Sequence, residues 1–280
     1  LGGERMWVRT LRTVCLLCWM AAVAPLRGDT LILGALPLEV EMLQSELSGT
    51  QIYSIGGRTF YQGMLEGERV VLTESGIGKV NAALTTQMAI DRFPVDRVIF
   101  TGVAGGIDPE LKVGDMVVAT WLAHHDYGVV TAKGFKWSPV PGSGKVKLRR
   151  FPVDAGLQRI ALKVAKSLDW PPIPRGVAPG VAGRKPVVVA RPIVTGDQFI
   201  ASEVKRVWIF RTFRAGAVEM EGAAVAQVCH ANRVPCLVLR SLSDLANEHA
   251  HLDFDRFAPY AARNSARFVR AILRTLTEGP

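Results

Sequence analysis

Cysteine is scarce in this chain, with four residues in 280. Cys15 and Cys18 lie in an apolar N-terminal stretch, where their C-x-x-C spacing can build neither a redox helix nor a zinc site. Cys229 and Cys236 remain, too few for a disulfide-stapled scaffold. Both read as buried small hydrophobes, with a disulfide between them open in an oxidising compartment. The apolar run 14–24 falls short of the ~20 residues a bilayer-spanning helix needs. Arg9 and Arg12 precede it and Ala22-Val23-Ala24 close it, the charged, apolar, small-residue order of a secretory signal peptide. Residues 1–28 are therefore set apart as a leader, the peptide itself spanning 6–28. Residues 29–280 form one domain of an exported protein, periplasmic or secreted, with no membrane span once the leader is removed.

Acid is missing between Asp126 and Asp154, while Lys133, Lys136, Lys145, Lys147, Arg149 and Arg150 occur there. Pro139, Pro141, Gly142 and Gly144 make this stretch a solvated loop rather than an anion-binding surface. With the four arginines and one glutamate of residues 1–28 set aside, the net charge falls from +9 to +6. No zinc finger, basic zipper or RNA-binding signature accompanies it, so no nucleic-acid partner is expected. A phosphate-binding loop is missing too. Gly76-Ile77-Gly78-Lys79 would need a further glycine where Thr73 stands.

An apolar fraction of 49% with 21% charged residues is enough for one sizeable core and excludes a disordered or fibrous chain. Residues 216–247 read strand, helix, strand, with 235–242 a nearly unbroken apolar run of the buried parallel kind. Glu219 and Glu221 sit where the first strand gives way to the helix, and Asp244 sits at the end of the second. Ligands bind at the carboxyl ends of strands in open α/β sheets, so these acids mark a site.

The rest of the chain supplies more such ends. Residues 30–36 read as a first strand, and Pro37 suits the first turn of the helix behind it. By position alone Glu39 is a first-turn acid favouring the helix dipole. Residues 51–75 read as successive antiparallel strands, followed by a helix to about Arg92. Strands are expected at 97–101, 113–118 and 187–194, and helices at 154–168, 201–211 and 256–276, with a polar loop reaching Phe254. His124, His125 and Asp126 raise a metal site. Adjacent histidines point opposite ways on a strand and no further ligand lies near, so neither metal nor cofactor is expected.

Seven segments, in order, carry a resemblance: 33–40 (LGALPLEV), 74–80 (ESGIGKV), 101–106 (TGVAGG), 111–115 (LKVGD), 195–200 (TGDQFI), 217–222 (AVEMEG) and 240–244 (RSLSD). Together they resemble the methylthioadenosine/S-adenosylhomocysteine nucleosidases of the purine nucleoside phosphorylase superfamily, over residues 30 to about 276. The resemblance implies a single α/β domain with a central mixed sheet flanked by helices, usually a homodimer, acting on small-molecule adenine nucleosides. It implies that Glu39 deprotonates water, which replaces the dipole reading, and that Asp244, assisted by Ser243, protonates purine N7. Glu221 would accept the ribose hydroxyls, Met220 would lie beneath the sugar, and Phe199 would stack on the base while the Ile200 backbone reads its edge. Leu36, Ile77 and Phe254 would surround the sugar and its 5′ substituent, with Val103 and Gly105 completing the wall and Glu219 left as a structural acid.

Two departures stand out. Val103 replaces a serine common in the bacterial enzymes, and 127–185 matches poorly where the family covers the 5′ pocket from a neighbouring subunit. The glycine turns at 76–78 and 102–104 bring no arginine for a phosphate dianion, which favours hydrolysis over phosphorolysis. A full set of acids favours an enzyme over a nucleoside-binding protein without chemistry.

Overall fold

A computed structural model describes residues 28–141, 147–175, 177 and 179–278. Residues 1–27 of the stretch read as a leader, with Cys15 and Cys18, and residues 142–146 of the basic stretch lie outside the described residues. The strands are β1 (Asp29–Gly34), β2 (Ser48–Ile55), β3 (Arg58–Leu65), β4 (Glu68–Glu74), β5 (Val95–Phe100), β6 (Val103–Gly106), β7 (Met116–His124), β8 (Gly128–Thr131), β9 (Gly134–Trp137), β10 (Val140–Pro141), β11 (Lys147–Leu148), β12 (Phe151–Pro152), β13 (Val188–Thr195), β14 (Ala217–Glu219) and β15 (Cys236–Asp244). The helices are α1 (Pro37–Ser45), α2 (Lys79–Arg92), α3 (Ala155–Ser167), α4 (Glu203–Phe213), α5 (Gly222–Asn232) and α6 (Ala250–Glu278).

Eleven strands form one mixed sheet in the order β12-β7-β13-β14-β6-β15-β5-β1-β4-β3-β2. β1 runs parallel to both β4 and β5, and β5 parallel to β15. Side chains alternate between the sheet's faces with the strand period of two. Leu31, Leu33 and Val238 enter one core with Ala82 and Ala89 of α2 and Val225 of α5. Ile32, Leu237 and Leu239 enter the other with Leu43 of α1, Ala161 of α3 and Phe268 of α6. A strand buried on both faces needs unbroken apolar sequence, which is why β1 and β15 read so plainly. Phe268 and Leu273 are fully buried on α6, each stabilising the fold by roughly 1.5–3 kcal/mol relative to exposure.

Several boundaries differ from expectation. α6 begins at Ala250 rather than Arg256, so Phe254 stands on a helix and not in a polar loop. Its first turns carry His251 and Asp255 exposed and Asp253 half-buried, and Pro259 sits inside it on the exposed side. The strand expected at 113–118 begins at Met116 and runs to His124, because Gly114, at φ +90°, forms a turn before it. The expected loop around Lys133 and Lys136 is a hairpin of β8 and β9, with Gly134 turning at φ +102°. Cys229 and Cys236 are buried free thiols. Among the described residues no helix is long and apolar enough to cross a membrane.

Candidate active site

Glu39 owes its position to the bend between β1 and α1. Its carboxylate accepts the Ala35 N–H at 2.5 Å, the Leu36 N–H at 3.0 Å and, across the sheet, the Val103 N–H at 2.8 Å. Such close approach requires Gly102, at φ +148°, since a Cβ there would fall 2.3 Å from a Glu39 oxygen and 2.5 Å from Arg240. Burial raises the Glu39 pKa, with Arg240 and the three N–H groups opposing it.

Arg240 stands on β15 with no solvent exposure, its guanidinium 4.1 Å from the centre of the Phe100 ring. It donates to Glu219 at 2.5 Å and to the Thr101 carbonyl at 2.9 Å, and reaches a Glu221 oxygen at 3.5 Å. Glu219 also accepts the N–H groups of Glu221 (3.1 Å) and Gly222 (2.7 Å) and the Thr195 hydroxyl. That is the structural part expected of it. Burial, then the Glu219 charge, push the Glu221 pKa up to about 8, while its Oε1 accepts the Gly78 N–H at 2.9 Å. Arg240 thus pairs directly with Glu219 and Glu221 and acts on Glu39 through its charge.

Asp244 ends β15 beyond a bulge in its pairing with β6. One oxygen accepts the Ala246 N–H at 2.8 Å and the other the Ser243 hydroxyl at 2.9 Å. Burial raises its pKa to about 6 against those two bonds. Nearby, Phe199 is 40% exposed, stacks on His251 with centroids 4.4 Å apart, and meets Phe254 edge-on at 5.8 Å.

One cavity joins these groups. Leu36, Glu39, Ile77, Val103, Gly105, Phe199, Ile200, Met220, Glu221, Ser243, Asp244 and Phe254 all line it, so the fold brings together every expected site residue. Ala35, Ala104, Gln198, Val218 and Glu219 complete the lining, and no lysine or arginine is among these residues. Lys79 braces the glycine turn from outside, at 2.7 Å from Asp126 and 3.4 Å from Asp197. His124 faces Gln227 at 3.0 Å, and His125, driven by burial to a pKa of about 4, faces away from it. Among the described residues no group of three or more His, Cys, Asp and Glu side chains is placed to hold a metal.

Comparison with known proteins bears on this cavity. The phosphorylase superfamily description matches residues 29–274. A 5′-methylthioadenosine/S-adenosylhomocysteine nucleosidase of Tolumonas auensis is 40% identical, the match covering 88% of this chain and 98% of that enzyme. The chain belongs to this nucleosidase family. The crystal structure of the Neisseria meningitidis nucleosidase with methylthio-immucillin-A superposes with a TM-score of 0.75 at 38% identity, covering 88% of this chain and 98% of that one. Futalosine hydrolase of Helicobacter pylori superposes at 0.74 with 32% identity, covering 88% and 97%. As a nucleosidase-family member the chain has a single α/β domain with a mixed sheet flanked by helices.

Arg240 is the residue of this site that sequence reading missed. The available signal was its charge inside the apolar run 235–242, because a buried guanidinium must be paired.

Proposed function

We propose that the chain hydrolyses the N-glycosidic bond of adenine nucleosides, 5′-methylthioadenosine first and S-adenosylhomocysteine and adenosine after it, releasing adenine. The carrying observation is a pair of buried acids, Glu39 and Asp244, lining one cavity with raised pKa values. Glu39 draws a proton from water as the water oxygen bonds to C1′. The C1′–N9 bond breaks, its electron pair moves into the purine, and Asp244 delivers a proton to N7. A pKa of about 6 makes Asp244 a usable donor near neutrality, and a raised pKa makes Glu39 a stronger base than a free carboxylate. Ser243 holds the Asp244 carboxyl, and Glu221 accepts the ribose hydroxyls. Met220 lies under the sugar, Phe199 stacks on the base and the Ile200 backbone reads its edge. Leu36, Ile77 and Phe254 favour an apolar 5′-alkylthio group, each methylene removed from water contributing ~0.8 kcal/mol.

Water rather than phosphate is the acceptor. A phosphate dianion would face Glu39, Glu219 and Glu221 in a lining without lysine or arginine. Incubation with methylthioadenosine, with and without phosphate, tests this. Adenine and free methylthioribose at equal rates are expected, and strict phosphate dependence with a ribose 1-phosphate product would overturn it.

We also infer a homodimer in an exported location. Ile77 (51% exposed), Val80 (78%) and Leu84 (49%) form an apolar stripe at the start of α2, and Val130 of β8 is 81% exposed. A second copy covering that stripe would also shield the cavity mouth at Ile77. Sedimentation at twice the chain mass and recovery outside the cytoplasm of the native host are expected. A monomer would reject the dimer, and full-length cytoplasmic protein would reject export.

A further inference from the structure

Away from the catalytic cavity, α6 carries Arg263, Arg267, Arg270 and Arg274 at helical spacing along one face, all lining a second cleft. Residues three and four apart on a helix lie roughly 5–6 Å from one another at Cβ, so four like charges in such a row repel. Two of them are answered. Arg270 lies 2.7 Å from Glu46 and 2.6 Å from Glu66, and Arg274 lies 2.5 Å from Glu66. Arg263 and Arg267 have no carboxylate within ion-pair distance among the described residues. Asp169, the acid that feels the Arg267 charge, is itself held by Lys185 at 2.7 Å.

Both arginines are exposed, on the side of the cleft that faces an apolar wall. Pro171, Pro172 and Leu168 form an apolar wall, tied to α6 by the Tyr260 hydroxyl donating to the Pro171 carbonyl at 3.1 Å. Asn264, 2% exposed and between the two arginines in sequence, lines the same cleft beside the Tyr260 hydroxyl. An adjacent pair of unanswered guanidiniums beside an apolar wall suits a ligand with both an anionic head and an apolar body.

We propose that this cleft is a second ligand site, separate from the nucleoside cavity, that takes an organic phosphate monoester. Arg263 and Arg267 grip its phosphate, whose oxygens match the paired N–H groups of a guanidinium. The wall of Leu168, Pro171 and Pro172 receives its organic part. No covalent step is involved.

Phenyl phosphate is the probe, titrated calorimetrically into the full chain at low salt. Saturable binding of one equivalent is expected, undisturbed by excess adenine, and at least tenfold weaker in Arg263→Gln/Arg267→Gln with nucleoside hydrolysis unchanged. Phenol should not bind, and inorganic phosphate should bind at least tenfold more weakly than phenyl phosphate. The proposal is overturned by absence of saturable binding, by equal affinity in the double variant, or by displacement with adenine. Equal affinity for inorganic phosphate would remove the apolar wall from the site and overturn the monoester class. Adsorption of the protein to phosphatidylglycerol vesicles that phenyl phosphate cannot displace would identify a lipid surface as the partner and overturn the small-molecule reading.

Discussion

The two ends of the cavity, assigned to ribose and purine in the proposed function, are built on opposite principles. At the ribose end, Glu39, Glu219 and Glu221 surround Arg240, each carboxylate holds at least one backbone N–H, and none is more than 6% exposed. At the purine end a single acid, Asp244, is held by neighbours in its own segment, Ser243 and Ala246, beside the half-open ring of Phe199. The ribose end is long-range and over-determined. The purine end is local and loosely roofed. Charge must be fixed before substrate arrives where water is to be activated, whereas a base entering and leaving needs a wall that can give way.

If the ribose end is a single electrostatic unit, removing its cation should damage the fold before the chemistry. Arg240→Met leaves Glu219 and Glu221 without their ion-pair partner and removes the charge that acts on Glu39, and a broken buried pair costs about 3–5 kcal/mol. Chemical denaturation of the variant should show a loss of that size, and a loss under about 1 kcal/mol would mean that the carboxylates are already neutral. Glu39→Gln separates chemistry from folding at the same end. Turnover of methylthioadenosine should fall by ~10²–10⁴-fold, the scale for losing a general base, with the fold retained. Wild-type turnover in that variant would remove Glu39 from the mechanism.

The same contrast explains what the sequence disclosed. The purine end was legible because Ser243 and Asp244 adjoin, and because Phe199 and Ile200 follow a strand within one motif. At the ribose end the separate acids were visible, but their common partner was not. Glu39 and Arg240 are brought together only by the pairing of β5 with both β1 and β15. The core strands were readable for a similar reason, since two-sided burial favours long apolar runs such as 31–33 and 236–239. The start of α6 was not. His251, Asp253 and Asp255 look like loop residues, although the helix leaves His251 and Asp255 exposed on one side, and Pro259 masks the continuity.

A pH experiment sharpens the comparison at the purine end. The Asp244 pKa is raised from 3.8 to about 6, so the fold favours the protonated acid. The stability this contributes is full below pH ~4 and is lost as pH rises through 6. Asp244→Asn cannot ionise, so relative to wild type it should gain stability between pH 4 and 7, by at most about 3 kcal/mol at 1.36 kcal/mol per unit. Its turnover should nonetheless drop ~10²-fold or more while adenine binding survives. In wild type, kcat/KM should decline as pH rises past about 6, following loss of the Asp244 proton. A variant whose melting temperature tracks wild type at every pH would show that Asp244 is not a strained acid.

The smallest effect is expected at the half-exposed ring of Phe199. Phe199 lines the cavity, and its ring stacks on His251 at 4.4 Å and meets Phe254 edge-on at 5.8 Å. Stacking a base on an aromatic ring contributes ~1–3 kcal/mol, and Leu keeps part of the apolar contact while losing the π-face. Phe199→Leu should therefore raise KM roughly five- to tenfold. In the proposed mechanism the chemical step acts at C1′ and N7 through Glu39 and Asp244, and a ring that binds ground state and transition state alike leaves kcat unchanged. A fall in kcat as large as that of Asp244→Asn would mean that Phe199 also positions the proton donor, and the purine end would then be as tightly organised as the ribose end.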